Sequence, residues 1–359
     1  MRDKLVYKIA KKNIKAFDFK DITIEKINTD ILNIMMEKIE TYDDFYTFGV
    51  KNTSSINKDI IRKLSNKNYL FHTIDKMSDG GRAIDINIKN PITGKNMTGS
   101  SSASAVNVLY GINDFAIATD GGGSVINPAI SLNLFSILLK GAGLKAKNSK
   151  KSTDNIEFTA GTGIISKNFE IIENIFKLLF DIKPENKKHI IAIPSNLYTA
   201  DDKPMKETLK NIIKNVENIQ IKEFKYPDFS NREESIKQIK KIFKEVDFIS
   251  CMEGPTDIYG MGDSVFGCMG ETYKNEQNKS GKYLSKIANM INSSAISIPT
   301  NELSKSLLIC SKENVQNTAN LIEFCKQIYQ IYELPELYKR YFLKSYERKK
   351  QEYFFKEGD

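Results

Sequence analysis

Hydrophobic residues are arranged along this chain in two patterns, short apolar runs and longer stretches with helical spacing. The short runs predict strands at 45–50, 69–73, 115–119, 156–160, 189–193, 219–224 and 248–252. Apolar residues three and four positions apart predict helices at 57–64, 104–110, 168–181, 205–216 and 232–245. Because strands alternate with helices of this length, we expect an α/β fold around a central sheet.

The two ends of the chain and two polar stretches fall outside this alternation. In the charged segment 1–45, helical spacing is kept by Ile24, Ile27, Ile31, Leu32, Met35 and Ile39. Residues 146–155 and 270–282 are polar and predict surface loops or lids. In the basic segment 336–359, Tyr338, Phe342 and Tyr346 are four apart. This segment is predicted to be a helix packed on one domain of residues 1–335, with membrane-surface docking as the alternative.

Charge and composition narrow the functional classes. The net charge is +8, but only six of the 53 basic residues are arginine, the residue preferred for phosphate and base recognition. We therefore expect no nucleic-acid partner. The four cysteines show no metal-binding spacing, and the longest apolar stretch, 129–139, is shorter than the roughly 20 residues that cross a bilayer. A cytoplasmic protein without a transmembrane segment is expected.

Two loops of small residues carry the candidate chemistry. Thr98 to Ala105 reads TGSSSASA, and Thr119 to Ser124 reads TDGGGS. The glycines leave the backbone N–H groups of Gly121, Gly122, Gly123 and Ser124 open to a developing oxyanion. A nucleophilic Ser124 needs a base, and the chain has only two histidines. A lysine deprotonated by burial is the remaining option, since the free amine has a pKa of about 10.4.

Together these loops resemble the amidase signature family. The first loop is similar to its Gly-Gly-Ser-Ser-Gly-Gly-Ser-Ala motif and the second to its Thr-Asp-x-Gly-Gly-Ser-Ile motif, with Pro128 and Ala129 following in place. The interval of 24 residues from Ser100 to Ser124 also matches. Fainter similarities occur at 161–166 and 289–299.

The resemblance implies a mixed, twisted sheet covered by helices and a Ser–cis-Ser–Lys triad. Ser124 would be the nucleophile, and Ser100, after a cis bond from Gly99, would relay the proton. Lys51, which ends a predicted strand, is the best match to the lysine base, followed by Lys58 and Lys76. Ser101, Thr119 and Asp120 would support the site. The substrate would be a small amide, with no metal or organic cofactor, and a homodimer is an open option.

The sequence also departs from the family pattern. Ile126 replaces an arginine that usually pairs with the residue at Asp120, so Asp120 needs another partner. Lys51 lies 49 residues before Ser100, a shorter interval than in the family. These departures motivate a rival hypothesis, an inactive amidase-like binding protein. A glutamine-dependent amidotransferase subunit is a further alternative with the same chemistry.

Overall fold

Local capping signals place several helices. The structure, a computed structural model, describes residues 2–330 and 334–344. At the start of four helices an asparagine side chain accepts a backbone N–H of the first turn, which satisfies a donor that has no partner inside the helix. These residues are Asn57, Asn168, Asn231 and Asn314.

The helices and strands alternate along most of the chain. The α-helices are α1 (Arg2–Asp18), α2 (Ile31–Lys38), α3 (Lys58–Ser65), α4 (Ser102–Leu109), α5 (Ile126–Ser131), α6 (Phe169–Phe180), α7 (Met205–Ile213), α8 (Arg232–Ile242), α9 (Glu271–Asn278), α10 (Val315–Tyr329) and α11 (Glu336–Tyr338). The strands are β1 (Ile24–Ile27), β2 (Tyr46–Lys51), β3 (Tyr69–Asp75), β4 (Ile84–Lys89), β5 (Asn96–Thr98), β6 (Phe115–Asp120), β7 (Phe135–Leu138), β8 (Lys145–Lys151), β9 (Glu157–Ser166), β10 (His189–Pro194), β11 (Ile219–Phe224), β12 (Phe248–Glu253), β13 (Ser294–Pro299) and β14 (Ser306–Ser311).

One mixed sheet of 12 strands forms the centre of the molecule. Its order is β1-β3-β2-β6-β9-β7-β13-β14-β12-β10-β11, and β8 pairs with β9 off this path. The pairs β2–β3, β2–β6, β10–β11 and β10–β12 are parallel, whereas the middle strands pair antiparallel. β4 and β5 form a separate hairpin. The expected α/β fold with a central mixed sheet flanked by helices is confirmed.

The hydrophobic core consists of apolar clusters between this sheet and its helices. The largest cluster includes buried residues of α3, α6, α7, α8 and α10, packed on the apolar side chains of the central strands. A second contains α4, part of α5 and Tyr338. Helix α4 is buried along its whole length, which its small residues permit because they let it approach the sheet closely. The two serine loops are therefore anchored to buried helices.

Three sequence predictions were wrong in detail. Ile24 and Ile27 lie in strand β1 rather than in a helix, because pairing with β3 overrides a spacing that also fits helix α2. The segment 146–155 is largely strand β8, an exposed edge strand paired to β9 that has no apolar alternation to reveal it. The segment 270–282 contains helix α9, none of whose residues is buried.

The C-terminal segment contacts the domain as far as it is described. Tyr338 is buried and its Oη donates to the Leu132 carbonyl at 2.5 Å. Helix α11 continues into a π-helix, Lys339–Lys344, and Tyr346 lies outside the described residues. The boundary at residue 335 stays a prediction. None of the helices in the described ranges is long and apolar enough to cross a membrane.

Candidate active site

The fold brings the two serine loops side by side. β5 leads into Gly99, Ser100 and Ser101 before α4 begins, and β6 leads into the glycine loop that ends at Ser124 before α5. The Ser101 N–H donates to the Ser124 carbonyl at 3.3 Å, which ties the loops together. Ser101 is buried, and its hydroxyl has no hydrogen-bond partner among the described residues.

Gly99 is required by both space and conformation. Its φ is +75°, and a Cβ there would collide with the ring of Pro128. This contact explains why the first loop has a glycine at the point where Pro128, which follows the second motif, packs against it. The cis bond expected before Ser100 is not found. Among the described residues, the cis bond in this structure precedes Pro255.

The end of strand β2 delivers Lys51 to Ser100. The Lys51 Nζ donates to the Ser100 Oγ at 2.6 Å and lies 3.4 Å from the Thr119 carbonyl. The lysine is only 4% exposed, and burial lowers the pKa of its amine from 10.5 to about 7, against the opposing effect of the Asp120 carboxylate. Lys51 is therefore the lysine best placed to act as a base near neutral pH.

The other two candidate bases lie elsewhere. Lys58 is exposed at the start of α3, and the Lys76 amine donates to the Asp21 carbonyl. Neither residue lines the cavity that contains Ser100 and Ser124. Lys51 thus reaches the serine loops although its interval to Ser100 is shorter than the family pattern predicts.

Asp120 finds its partner in the backbone. One carboxylate oxygen accepts the Gly123 N–H at 2.7 Å, and the other accepts the N–H groups of Val125 at 2.6 Å and Ile126 at 3.3 Å. Asp120 is fully buried, and burial raises the pKa of its carboxyl although these N–H groups oppose the shift. Backbone donors at the start of α5 thus replace the arginine whose position Ile126 occupies.

This geometry changes the predicted oxyanion hole. The Gly123 N–H is engaged by Asp120, so it is not available to an oxyanion. Within the described residues, the N–H groups of Gly121, Gly122 and Ser124 have no protein acceptor. Gly123 keeps a structural role, because its φ is +98° and a Cβ there would collide with the Asn127 side chain.

We predict that Asp120→Ala destabilises the fold. Three buried backbone N–H groups would lose their acceptor, so we expect a loss of roughly 3 kcal/mol in the free energy of unfolding. Urea denaturation followed by circular dichroism measures it. The control is Asp59→Ala, which removes an exposed ion pair with Arg62 in α3 and should cost less than about 1 kcal/mol. Equal losses in the two variants would contradict the capping role of Asp120.

A second buried carboxylate supports the strand that carries Lys51. Asp75, at the end of β3, accepts hydrogen bonds from Thr73 at 2.7 Å, Ser104 at 2.9 Å and Asn107 at 2.8 Å. The Asp75 carboxylate occupies the space that a Cβ on Gly49 would need. Burial raises the pKa of Asp75 to about 6, opposed by these donors. The network fixes β2, β3 and α4 relative to one another, and no motif in the sequence indicated it.

Lys51, Ser100 and Ser124 open into one cavity of about 450 Å³, called the serine cavity below. Gly121 and Gly122 also line it, so the free N–H groups and the serines share one wall. Ser124 is half-buried. This arrangement places two serine hydroxyls, a buried amine of lowered pKa and backbone N–H donors around one cavity, and acyl transfer needs groups of these types.

Several residues of the cavity were not predicted from sequence. Strand β8 contributes Lys150 and Lys151, helix α8 contributes Arg232, and the segment before Met290 contributes Lys286. These residues are far from the serine motifs along the chain and stand in ordinary lysine-rich surroundings. Only the tertiary contacts identify them.

The similarities to known proteins are structural. No family model matches the sequence, and no curated protein sequence matches it significantly. An amidase structure aligns with a TM-score of 0.61 at 12% identity, over 90% of this chain and 95% of that chain. One subunit of the glutamyl-tRNA(Gln) amidotransferase of Thermotoga maritima gives a TM-score of 0.62 at 12% identity, over 93% of this chain and 94% of that chain.

A third alignment has the same character. Kluyveromyces lactis allophanate hydrolase gives a TM-score of 0.64 at 13% identity, over 90% of this chain and 70% of that chain. Agreement over 90% or more of this chain at such low identity establishes the backbone architecture and not the chemistry. The chain therefore has the fold of the amidase-signature enzymes, in a divergent sequence.

Proposed function

We propose that this protein hydrolyses a carboxylic amide through an acyl-enzyme on Ser124. The observation that carries the proposal is the 2.6 Å contact between the buried Lys51 amine and the Ser100 hydroxyl, on the wall of the cavity that also contains Ser124. A lysine with a pKa of about 7 is largely neutral at slightly alkaline pH and is able to accept a proton.

Each residue then has a defined part in the reaction. The Ser124 Oγ forms a bond to the amide carbonyl carbon while its proton passes through Ser100 to Lys51. The oxyanion is held by the N–H groups of Gly121, Gly122 and Ser124. The C–N bond breaks as the proton is returned to the leaving nitrogen, which departs as ammonia or an amine. Water then attacks the acyl ester by the reverse proton path, releases the acid and restores Ser124.

The rival hypothesis of an inactive binding protein does not account for the Lys51 environment. Burying an amine costs free energy, and a protein that needed only a binding cavity has no use for a lysine with a lowered pKa beside a serine hydroxyl. The amidotransferase alternative shares the acyl-enzyme step and differs in the acceptor of the acyl group or of the ammonia. Simple hydrolysis needs no acceptor other than water.

A fluorophosphonate probe tests the proposal. It reacts with an activated serine hydroxyl, so we expect stoichiometric labelling of the native protein, with the adduct on the peptide that contains Ser124 by mass spectrometry. Ammonia release from a panel of primary amides is the parallel assay. Absence of both labelling and ammonia release would refute the hydrolase and favour the binding protein.

The rate is expected to rise with pH through about 7. Lys51 must be neutral to accept the proton, and burial lowers the pKa of its amine to about 7, so the protonated, inactive form dominates below that pH. For an uncharged amide, kcat/KM should rise about tenfold per pH unit below this value and level off above it. Initial rates at constant ionic strength give the profile. A rate that falls as pH rises through 7 would contradict Lys51 as the base.

A further inference from the structure

The serine cavity has a strongly cationic wall. Among the described residues that line it, seven carry a lysine or arginine side chain and Asp79 is the one acidic residue. Such an excess of one sign attracts a ligand of the opposite sign only where the charges are not already paired. The partners of each cation therefore decide what the cavity can bind.

Two of the cations are paired with buried carboxylates of the protein. The Arg82 Nε lies 2.6 Å from a carboxylate oxygen of Asp263, which is fully buried. The Lys282 amine lies 2.7 Å from the Asp257 carboxylate. These pairs hold the wall together and present little net charge to a ligand.

Lys286 is different, because its charge is not neutralised. Its amine donates to the Phe229 carbonyl at 3.2 Å, and within the described ranges no carboxylate lies at ion-pair distance from it. The nearby Glu253 carboxylate is occupied by the N–H groups of Tyr283 and Ser285 and by the Ser285 hydroxyl. Burial raises the pKa of Glu253 to about 7, so this group supplies only part of a negative charge near neutral pH.

Arg232 lies on the same part of the wall. Its guanidinium has one ion-pair contact, at 3.0 Å from Asp154, and its side chain is 17% exposed. It is close enough to Lys286 to contribute to the lowered pKa of that amine. The backbone of Lys286 packs against the glycine loop, since its carbonyl oxygen would lie 3.4 Å from a Cβ on Gly122. Both cations therefore line the same cavity as Ser124.

We infer that Lys286, assisted by Arg232, binds a carboxylate on the substrate, so that the preferred substrates are amides that carry a second, anionic group. Arg232 and Asp154 cancel one another in charge. Lys150 and Lys151 are exposed on strand β8, where solvent screens their charges, so apart from Lys51 it is the partly buried Lys286 that is left to match one carboxylate. The remaining N–H donors of Arg232 supply a planar fork for the same group. The inference rests on the proposed amide hydrolysis for its substrate class, but its binding part is testable without turnover.

The first test compares matched substrates. Succinamate, glutaramate and adipamate differ from butanamide, pentanamide and hexanamide only by a carboxylate in place of the terminal methyl group. For the chain length that fits best, kcat/KM is expected to be at least about tenfold higher for the anionic member, as one charge-assisted hydrogen bond provides. Equal or faster hydrolysis of the uncharged members throughout would overturn the inference and leave the hydrolase intact.

Variants then locate the preference. Lys286→Met should reduce the ratio of anionic to uncharged kcat/KM by about tenfold, and Lys286→Arg should retain most of it. Lys214→Met, an exposed lysine outside the cavity, is the control for the loss of one positive charge and should leave the ratio unchanged. A ratio that is the same in Lys286→Met and in the native protein would refute the role of Lys286.

Binding without turnover separates this inference from the proposed function. Titration of glutaramate and adipamate into Ser124→Ala by calorimetry should show binding that weakens about tenfold or more when Lys286→Met is added. If the protein releases no ammonia from any amide but this difference persists, the hydrolase fails and the carboxylate site stands. If native protein hydrolyses amides and the double variant binds as tightly as Ser124→Ala, the carboxylate site fails alone.

The pH dependence of the ratio is an independent readout. Burial lowers the pKa of Lys286 to about 8, with Glu253 opposing the shift and Arg232, Lys274 and Lys282 adding to it. The anionic preference should therefore decline above pH 8 as the amine loses its proton, whereas Lys51 affects both substrates equally and cancels. Lys286→Arg should keep the preference at high pH, and a decline unchanged in that variant would contradict the assignment.

Discussion

Replacing Ser124 with alanine is expected to abolish amide hydrolysis and fluorophosphonate labelling together. The change removes the proposed nucleophilic oxygen, while the free N–H groups of Gly121 and Gly122 remain. We expect kcat/KM to fall by at least about 10⁴-fold, as happens in serine hydrolases that lose their nucleophile. Ammonia release and the mass of the intact protein after probe treatment give the two readouts.

The structure indicates that this variant will fold. The Ser124 side chain is half-buried, and it is the carbonyl, retained in alanine, that accepts the Ser101 N–H. Ser195→Ala, an exposed serine outside the cavity, is the control and should keep full activity and labelling. Labelling that persists in Ser124→Ala would show that another serine is the nucleophile.

The second large effect is expected for Lys51→Met. Methionine is nearly as long as lysine but has no basic nitrogen, so Ser100 and Ser124 would lose the proposed base. We expect kcat to fall by about 10³-fold or more, and the rise of rate with pH through about 7 to disappear. The pH profile distinguishes this loss from a general disturbance of the site, which would lower the rate without removing the titration.

A matched control exists in Lys58→Met. Lys58 was an alternative base in the sequence, and it is exposed at the start of α3 outside the cavity, so this variant should behave like the native protein. Lys51→Met should also be no less stable in thermal unfolding, because a buried amine is replaced by an apolar group. A large loss of activity in Lys58→Met with little change in Lys51→Met would overturn the assignment of the base.

The carboxylates at residues 75 and 120 show why some of the site was beyond sequence reasoning. Asp120 stands in a recognisable motif, but its partners are backbone N–H groups, which carry no residue-specific signal. Asp75 binds side chains from its own strand and from α4, at positions that no local spacing connects. Hydrogen bonds between distant segments exist only after the sheet has assembled.

The sequence by itself determined the order of most helices and strands, and it singled out Ser100 and Ser124. The helices and strands follow from hydrophobic spacing, which is a local property. The two serines were singled out by their loops of small residues and by the resemblance of those motifs and their interval to the amidase signature family. Lys51 was predicted from its position at the end of one strand. Other lysines stayed as alternatives, since many lysines in this chain have similar sequence surroundings. Its contact with Ser100 depends on the parallel pairing of β2 with β3 and β6.

Only the tertiary structure decided the shape and charge of the serine cavity. Lys286 and Arg232 come from segments more than a hundred residues after the serine loops, and the net charge that they present to a ligand depends on which carboxylates pair with them. The same is true of strand β8, an edge strand held by its pairing with β9 without an apolar face. Periodicity reports which face of an element is buried, whereas a binding cavity is formed by side chains that meet only through long-range packing.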